Sequence, residues 1–468
     1  MRFQRFEDPG LAQFSYAVGC AESGRVAIVD PRRDIDAYLD HAYQKGWRIE
    51  LVLETHVHAD YASGARELAE QTGAALVLSA HDEGEAFQVV FPHRALRDGD
   101  SLDLGGVRLQ AWHCPGHTPE HLAYLAYNLR RRPDLPKLMF SGDFLLVGGL
   151  GVPELSGEEA RRTLASRLYD SVRRLAGLPD ALEIHPAHGA GFLGATGLGR
   201  RAMSTLGYER QANPYLDPSL DRDAFVARVL DHAPPLPPAY ERLRRLNCEG
   251  PPSLGGLPGG KPLTVDQLRE HVDQGGLVID LRDQLAFGAG HVPGSFGIGD
   301  GEEPLAWAAW VLPPDLPIAL VAADPIDLPQ AVRALVRLGL DEVRGFLSGG
   351  LDSWVEAGLP LARTRQWTAL ELGARLQADP DGLHVVDLRD LDDYVRRHVP
   401  QALHLAAEDL AGQLDRLPDD QKPLAFICRS GCRSTVAASL LERAGRRNLV
   451  NIAGGMEAWE QAGLPVAP

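Results

Sequence analysis

The chain has 468 residues, 44% of them hydrophobic and 24% charged, the proportions of a globular protein long enough for about three domains. Forty-seven Lys and Arg against 64 Asp and Glu leave a net charge of −17. That balance argues against nucleic acid or an anionic membrane as partner, but not against a small anionic substrate, for which one local basic cluster suffices. The five cysteines (Cys20, Cys114, Cys248, Cys428, Cys432) are scattered and odd in number, so they form no disulfide framework. The opening MRFQRFEDPG lacks the apolar core of a secretion signal, and no run of about 18 apolar residues occurs. Together these features predict a cytoplasmic location and no membrane span.

In chain order, the first half offers short apolar strands, RVAIVD, IELVLET, AALVLS, VRLQAWH and KLMFSGD, several followed by helical patterns such as YASGARELAEQTG. This alternation predicts an α/β sandwich with its site on the loops at the strand ends. NCEGPPSLGGLPGGKP at 247–262 has the Gly and Pro density of a linker. Beyond it the sequence repeats. LVIDLRDQLAFGAGHVPG at 277–294 matches HVVDLRDLDDYVRRHVPQ at 384–401, each with an Asp-Leu-Arg after an apolar strand and a His eleven residues past the Asp. FLSGGLDSWVEAGLPL at 346–361 matches NIAGGMEAWEQAGLPV at 451–466. Strands and helices alternate in both copies, which predicts parallel sheets covered by helices. The expected division is a first domain at 1–246, a linker at 247–262, and repeats at 263–363 and 364–468.

Metal-ligand residues occur in four clusters of the first domain, each at a strand end or in a Gly/Pro-rich loop. These are His56, His58 and Asp60; His113, His117 and His121; Asp143; and His185 with His188. One such His is ordinarily structural, but four clusters in one domain point to a metal site.

The segments THVHADYASG, GHTPEH, SGDFLL, HPAHGAG and STLGYERQANP resemble the metallo-β-lactamase fold, and within it the persulfide dioxygenases fused to rhodanese domains. The resemblance covers nearly the whole chain. It implies an αββα sandwich followed by two α/β rhodanese domains. Dinuclear hydrolases of this fold carry HxHxDH, and here the last His is Tyr61, whose neutral phenol is a poor ligand. By position, the resemblance implies one Fe(II) per chain, with zinc as the alternative, on His56, His117 and Asp143. His58, Asp60 and His188 are then supports for those ligands, or ligands themselves. It further implies O2 and a low-molecular-weight persulfide, of glutathione or another thiol, as substrates. Tyr208 and Arg210 are candidates for contacting a carboxylate on that thiol, or form a packing pair. Three positions depart from the family: Val152 replaces an Arg, and Phe192 and Leu193 stand where relatives carry Ser and Cys. These changes leave the thiol carrier open.

In the second repeat, LAFICRSGCRSTVAASL at 424–440 places Cys428 at a strand end before a loop and a helix. This is similar to the rhodanese active-site loop. Backbone N–H groups, the helix N-terminus, Arg429 and Arg433 would favour thiolate, which takes up sulfane sulfur and passes it on. Thiosulfate and sulfite are the expected partners, with sulfur flow in either direction. Cys432 could be a disulfide partner, a resolving thiol or a bystander. The first repeat reads IALVAADPIDLPQAVRAL and has Ala322, Ala323 and Asp324 at the matching place, so it is expected to be catalytically silent.

The expected function is iron-dependent oxidation of a thiol persulfide to sulfite, coupled to sulfur transfer through Cys428. The alternatives are a zinc thioester hydrolase of glyoxalase II type, a sulfur carrier or sensor without catalysis, and a phosphatase-like loop, which the six-residue span from Cys428 to Arg433 disfavours. Homo-oligomerisation is left open.

Overall fold

The structure is a computed structural model that describes residues 1–155, 157–190, 199, 201–231, 238–299 and 312–468. Phe192 and Leu193 lie outside the described residues. Two compact units are formed, Met1–Leu254 with Val336–Gly339, and Gly255–Leu335 with Leu340–Pro468.

The first unit is built on two six-stranded sheets. One runs, in spatial order, Arg2–Asp8, Gln13–Cys20, Arg25–Val29, Arg48–Leu53, Ala75–Ser79 and Arg94–Leu96. The other runs Ser204–Thr205, Glu183–Pro186, Arg132–Gly142, Leu122–Asn128, Val107–His113 and Ser101–Asp103. Every residue of Gln13–Cys20 is buried, because this strand is covered on both faces. Phe14, Tyr16 and Val18 on one sheet and Leu109, Tyr124 and Phe140 on the other join one core between the sheets. Outside the first sheet, Tyr38, Ala42, Leu68 and Ala69 of helices Asp36–Lys45 and Ala65–Thr72 pack on Val26, Ile28 and Val52. Outside the second, Leu168 of helix Glu158–Arg174 and Phe225 of helix Arg222–Asp231 pack on Leu125, Met139 and Ile184. The result is the expected sandwich of helix, sheet, sheet and helix.

Strand direction explains where the candidate residues meet. Arg25–Val29 and Arg48–Leu53 are parallel, as are Arg132–Gly142 and Glu183–Pro186. Val107–His113 and Arg132–Gly142 both pair antiparallel to Leu122–Asn128, so they also run alike. Their C-terminal ends deliver Asp30, His56, His117, Asp143 and His188. Gly142, at φ +53°, makes the turn into Asp143. A Cβ there would lie 2.5 Å from His121 Nε2 and 2.7 Å from Thr55 Oγ1, so no larger residue fits.

The expected linker begins later than its composition indicated. Helix Pro238–Glu249 runs through its first residues, and the chain to Leu254 clusters with the first unit. Asn247 and Cys248 are buried there, and burial outweighs the loop-forming character of the neighbouring Gly and Pro.

The two repeats in the second unit have five-stranded parallel sheets of the same order. One is Pro262–Leu263, Val343–Leu347, Ile318–Val321, Leu277–Asp280, Phe296–Gly297. The other is Arg365–Thr368, Leu449–Ala453, Leu424–Ile427, His384–Asp387, Leu403–His404. The repeated residues have repeated jobs. Asp280 and Asp387 each grip the Arg two residues on, whose Nη2 donates to the Gly290 carbonyl (2.7 Å) or the Arg397 carbonyl (2.6 Å). His291 stacks on Phe287 at 3.8 Å, and His398 on Tyr394 at 3.9 Å. Capping boxes, Thr264 with Gln267 and Thr368 with Glu371, open the first helix of each copy.

Candidate functional site

His56, His117 and Asp143 come together, all buried. His56 Nε2 lies 3.7 Å and His117 Nε2 3.6 Å from Asp143 Oδ2. Such separations are near those of atoms each about 2.1 Å from a common centre.

The hydrogen bonds decide which nitrogen of each ring is free. Thr55 Oγ1 donates to Asp30 Oδ2 at 3.0 Å and therefore accepts from His56 Nδ1 at 2.9 Å. His117 Nδ1 donates to the Val152 carbonyl at 2.7 Å. Both protons thus sit on Nδ1, and both Nε2 lone pairs face Asp143. His117 Nε2 has no hydrogen-bond partner. Burial and the surrounding imidazoles hold His56 well below the ordinary histidine range, so it is neutral, as a ligand must be. An orphaned buried nitrogen beside a neutral imidazole and a carboxylate fits a metal ion.

The neighbouring residues brace this set. The Asp143 N–H donates to His121 Nε2 at 3.1 Å, and His121 Nδ1 faces Cys114 Sγ at 3.3 Å. His188 stands between two carboxylates, with Nδ1 2.8 Å from Asp143 Oδ1 and Nε2 2.7 Å from Asp60 Oδ2. Burial opposes charge on His188, but Asp143 and Asp60 prevail and push it up to about 10. His58 turns to a second acidic pair, with Nε2 3.2 Å from Asp30 and 3.1 Å from Glu54. Burial opposes its charge too, and the two carboxylates raise it well above the ordinary range. Asp30, Glu54 and His58 form a group of metal-ligating residue types by themselves. A protonated imidazole between two carboxylates already satisfies it.

Tyr61 is fully buried, and its hydroxyl donates to the Asp30 carbonyl at 3.3 Å. Burial and nearby carboxylates push the phenol well up, so it stays neutral. His113 stacks on His81 at 3.7 Å, and His185 lies tilted against Phe3 at 4.7 Å. Neither is in the His56–His117–Asp143 group. Arg210 pairs with Asp180 and donates to the carbonyls of Leu175 (2.7 Å) and Leu178 (2.8 Å), while Tyr208 is exposed. Within that segment the residues that reach the loop after Asp143 are Glu209, accepting from Gly148 N at 2.9 Å, and Asn213, donating to the Gly149 carbonyl at 3.0 Å.

Two residues beside the site were not among the candidates in the sequence. Glu154 is buried with Oε1 3.6 Å from His117 Nε2, and is paired with Arg244. Asn247 Nδ2 donates to the carbonyls of His58 (2.8 Å) and Tyr61 (2.7 Å), and its Oδ1 accepts from Ser63 N at 2.9 Å. Arg244 and Asn247 come from helix Pro238–Glu249, whose end reads as linker. The signal available was the helical spacing of Tyr240, Leu243, Arg244 and Asn247.

In the last repeat, strand Leu424–Ile427 ends at buried Cys428. Its Sγ accepts from Gly431 N at 3.1 Å, beside the start of helix Cys432–Arg443. Arg429 is exposed, and Arg433 lies 3.8 Å from Asp390. Cys428 and Cys432 are both free thiols. In the first repeat Asp324 accepts from Ile326 N at 2.9 Å, capping a short turn where the second has its cysteine loop.

The metallo-beta-lactamase superfamily profile matches residues 8–188, and the rhodanese-like domain matches 264–357 and 368–462. A crystal structure of a metallo-beta-lactamase from Staphylococcus aureus subsp. aureus COL is 30% identical, with TM-score 0.66, over 74% of this chain and 98% of that one. A probable metallo-hydrolase of Burkholderia pseudomallei is 29% identical over 256 residues, 48% of this chain and 84% of that protein. A hydroxyacylglutathione hydrolase of Polaromonas sp. is 33% identical over 177 residues, 37% of this chain and 61% of that protein. No helix among the described residues is long and apolar enough to cross a membrane.

Proposed function

The chain belongs to the metallo-beta-lactamase superfamily and carries two rhodanese-like domains, and from that premise we propose that it oxidises a low-molecular-weight persulfide with O2 and transfers sulfane sulfur through Cys428. The observation that carries the first activity is the group His56, His117 and Asp143, with Tyr61 turned to a backbone carbonyl and His58 to a second acidic pair. A two-His-one-carboxylate set suits iron(II), which supplies the redox chemistry that zinc lacks and positions for both sulfur and O2. The chain's own residues supply the rest. Asp30 through Thr55, and the Val152 carbonyl, keep the two imidazoles in one tautomer. His188 and His121 hold Asp143 by its carboxylate and its N–H. Burial of all three keeps bulk water out, which preserves a reactive persulfide anion. The reaction balances as persulfide anion, O2 and water giving thiol, sulfite and a proton. Glutathione is the carrier to be tried first.

In the last domain the Cys428 thiolate attacks the outer sulfur of thiosulfate. A new S–S bond forms, the S–S bond of thiosulfate breaks, and sulfite leaves with the electron pair. An incoming thiolate then takes the outer sulfur of the Cys428 persulfide and regenerates the Cys428 thiolate. The Gly431 N–H and the helix N-terminus stabilise the anion at each stage.

A second reading, a zinc thioester hydrolase, is favoured by the hydroxyacylglutathione hydrolase relatives. Elemental analysis of protein purified without added metal, with O2 uptake on glutathione persulfide, separates the two. About one iron per chain with O2 consumed supports the dioxygenase. Two zinc ions per chain, no O2 uptake and cleavage of an acyl-glutathione thioester would transfer the assignment to the hydrolase.

A further inference from the structure

The first repeat has no cysteine, yet it reaches the cysteine loop of the second. Gln284 opens helix Gln284–Ala289, whose start is fixed by Asp283 accepting from Leu285 N (2.8 Å) and Ala286 N (3.1 Å). From there Gln284 Nε2 donates to the Ser430 carbonyl at 3.1 Å. The Gly431 N–H, which donates to Cys428 Sγ at 3.1 Å, belongs to the same peptide group as that carbonyl. A donor on the oxygen of a peptide polarises its N–H and fixes the direction in which it points. Gln284 thus acts on the sulfur through one peptide unit.

The amide of Gln284 is itself held. Asn451, fully buried on strand Leu449–Ala453, donates from Nδ2 to Gln284 Oε1 at 3.1 Å and to Gln366 Oε1 at 2.9 Å. That bond leaves Nε2 facing Ser430. The backbone at Gly431 is adapted to the contact: φ is +103°, and any Cβ would collide with Gln284 Oε1. At the equivalent place in the second repeat, after Asp390, stands Leu391, which is exposed. The glutamine is therefore a property of the silent copy.

We propose that the catalytically silent first repeat supplies Gln284 as a positioning residue that orients the Ser430–Gly431 peptide toward Cys428, and so sustains the thiolate and persulfide of the second repeat. This rests on the reading of Cys428 as the sulfur carrier.

The test uses the full chain with Gln284→Glu, which keeps the shape but removes the donor, and Gln284→Leu. Iodoacetamide alkylation of Cys428 is followed by peptide mass spectrometry across pH, alongside thiosulfate-to-cyanide sulfur transfer, iron content and melting temperature. Both variants should alkylate roughly three- to tenfold more slowly near neutral pH, with the profile displaced to higher pH and sulfur transfer reduced in step. Iron content should not change. A Cys428 profile that coincides with that of the unaltered protein in either folded variant overturns the proposal, and so does a lowered melting temperature with no displacement. Absence of sulfur transfer in the unaltered protein would instead refute the sulfurtransferase reading, while the alkylation profiles would still decide whether Gln284 positions the loop.

Discussion

His56 and His58 are two residues apart and chemically identical, yet His56 joins His117 and Asp143 while His58 joins Asp30 and Glu54. The difference lies in what each ring meets. Thr55, held by Asp30, accepts a hydrogen bond from His56 Nδ1 and leaves Nε2 bare, whereas His58 meets two carboxylates and becomes their cation. Asp143→Ala should therefore remove bound metal, read by elemental analysis, because it takes away the carboxylate on which both Nε2 atoms converge; iron retained at the level of the unaltered protein would refute ligation. Asn247→Ala removes three hydrogen bonds from the backbone around His58, Tyr61 and Ser63. It should cost about 2–3 kcal/mol of stability in denaturant unfolding and loosen the metal, because buried carbonyls lose their donors. The motif HxHxD was legible in the sequence, but the roles of its members were not, since each is set by partners elsewhere in the chain, such as Asp30, which meets His58, and His188, which meets Asp60.

At the scale of elements, the repeated Asp-Leu-Arg and the His that follows it proved to be structural. They lock a strand end to the next turn in both copies. Their recurrence revealed the duplication, and identical spacing produced identical strand order. Helix Cys432–Arg443, which begins at the cysteine loop, is tied at its far end by Glu442, which accepts from His291 Nε2 (3.3 Å) and Gly294 N (3.4 Å) of the first repeat. Burial pushes the Glu442 carboxyl up, but His291 outweighs it and the group lies below the ordinary carboxylate range. A carboxyl depressed by folding contributes stability that is complete above its unfolded pKa and lost as pH falls through the folded one. The melting temperature of Glu442→Gln should then trail that of the unaltered protein at neutral pH, and the gap should close on acidification below about pH 4.5. A gap that stayed constant across that range would remove the ionised carboxylate from the account. Only the last three residues of helix Pro238–Glu249 fell in the expected linker. Its last residues sit among Gly and Pro, and only burial against the first unit shows them to be part of the site.

For the molecule as a whole, the two candidate sites sit on separate units and use separate residues. Cys428→Ser should abolish sulfur transfer and spare O2 uptake, and Asp143→Ala should do the reverse, each measured on the same two assays. Loss of both activities in either folded variant would mean that the sites are obligately coupled. The amino-acid order alone revealed the duplication and the class of each fold, because repeats and strand and helix periodicity are local properties of a chain, while His56, His117, Asp143 and Cys428 were singled out by resemblance to known families. The tertiary structure alone decided that Tyr61 faces a carbonyl, that Glu154, paired with Arg244, lies near His117, that Asn247 holds the backbone at His58 and Tyr61, and that Gln284 of the first repeat touches the cysteine loop of the second. Those contacts join residues from about 30 to almost 190 positions apart, and no local pattern encodes which side chain will fill a space that packing creates.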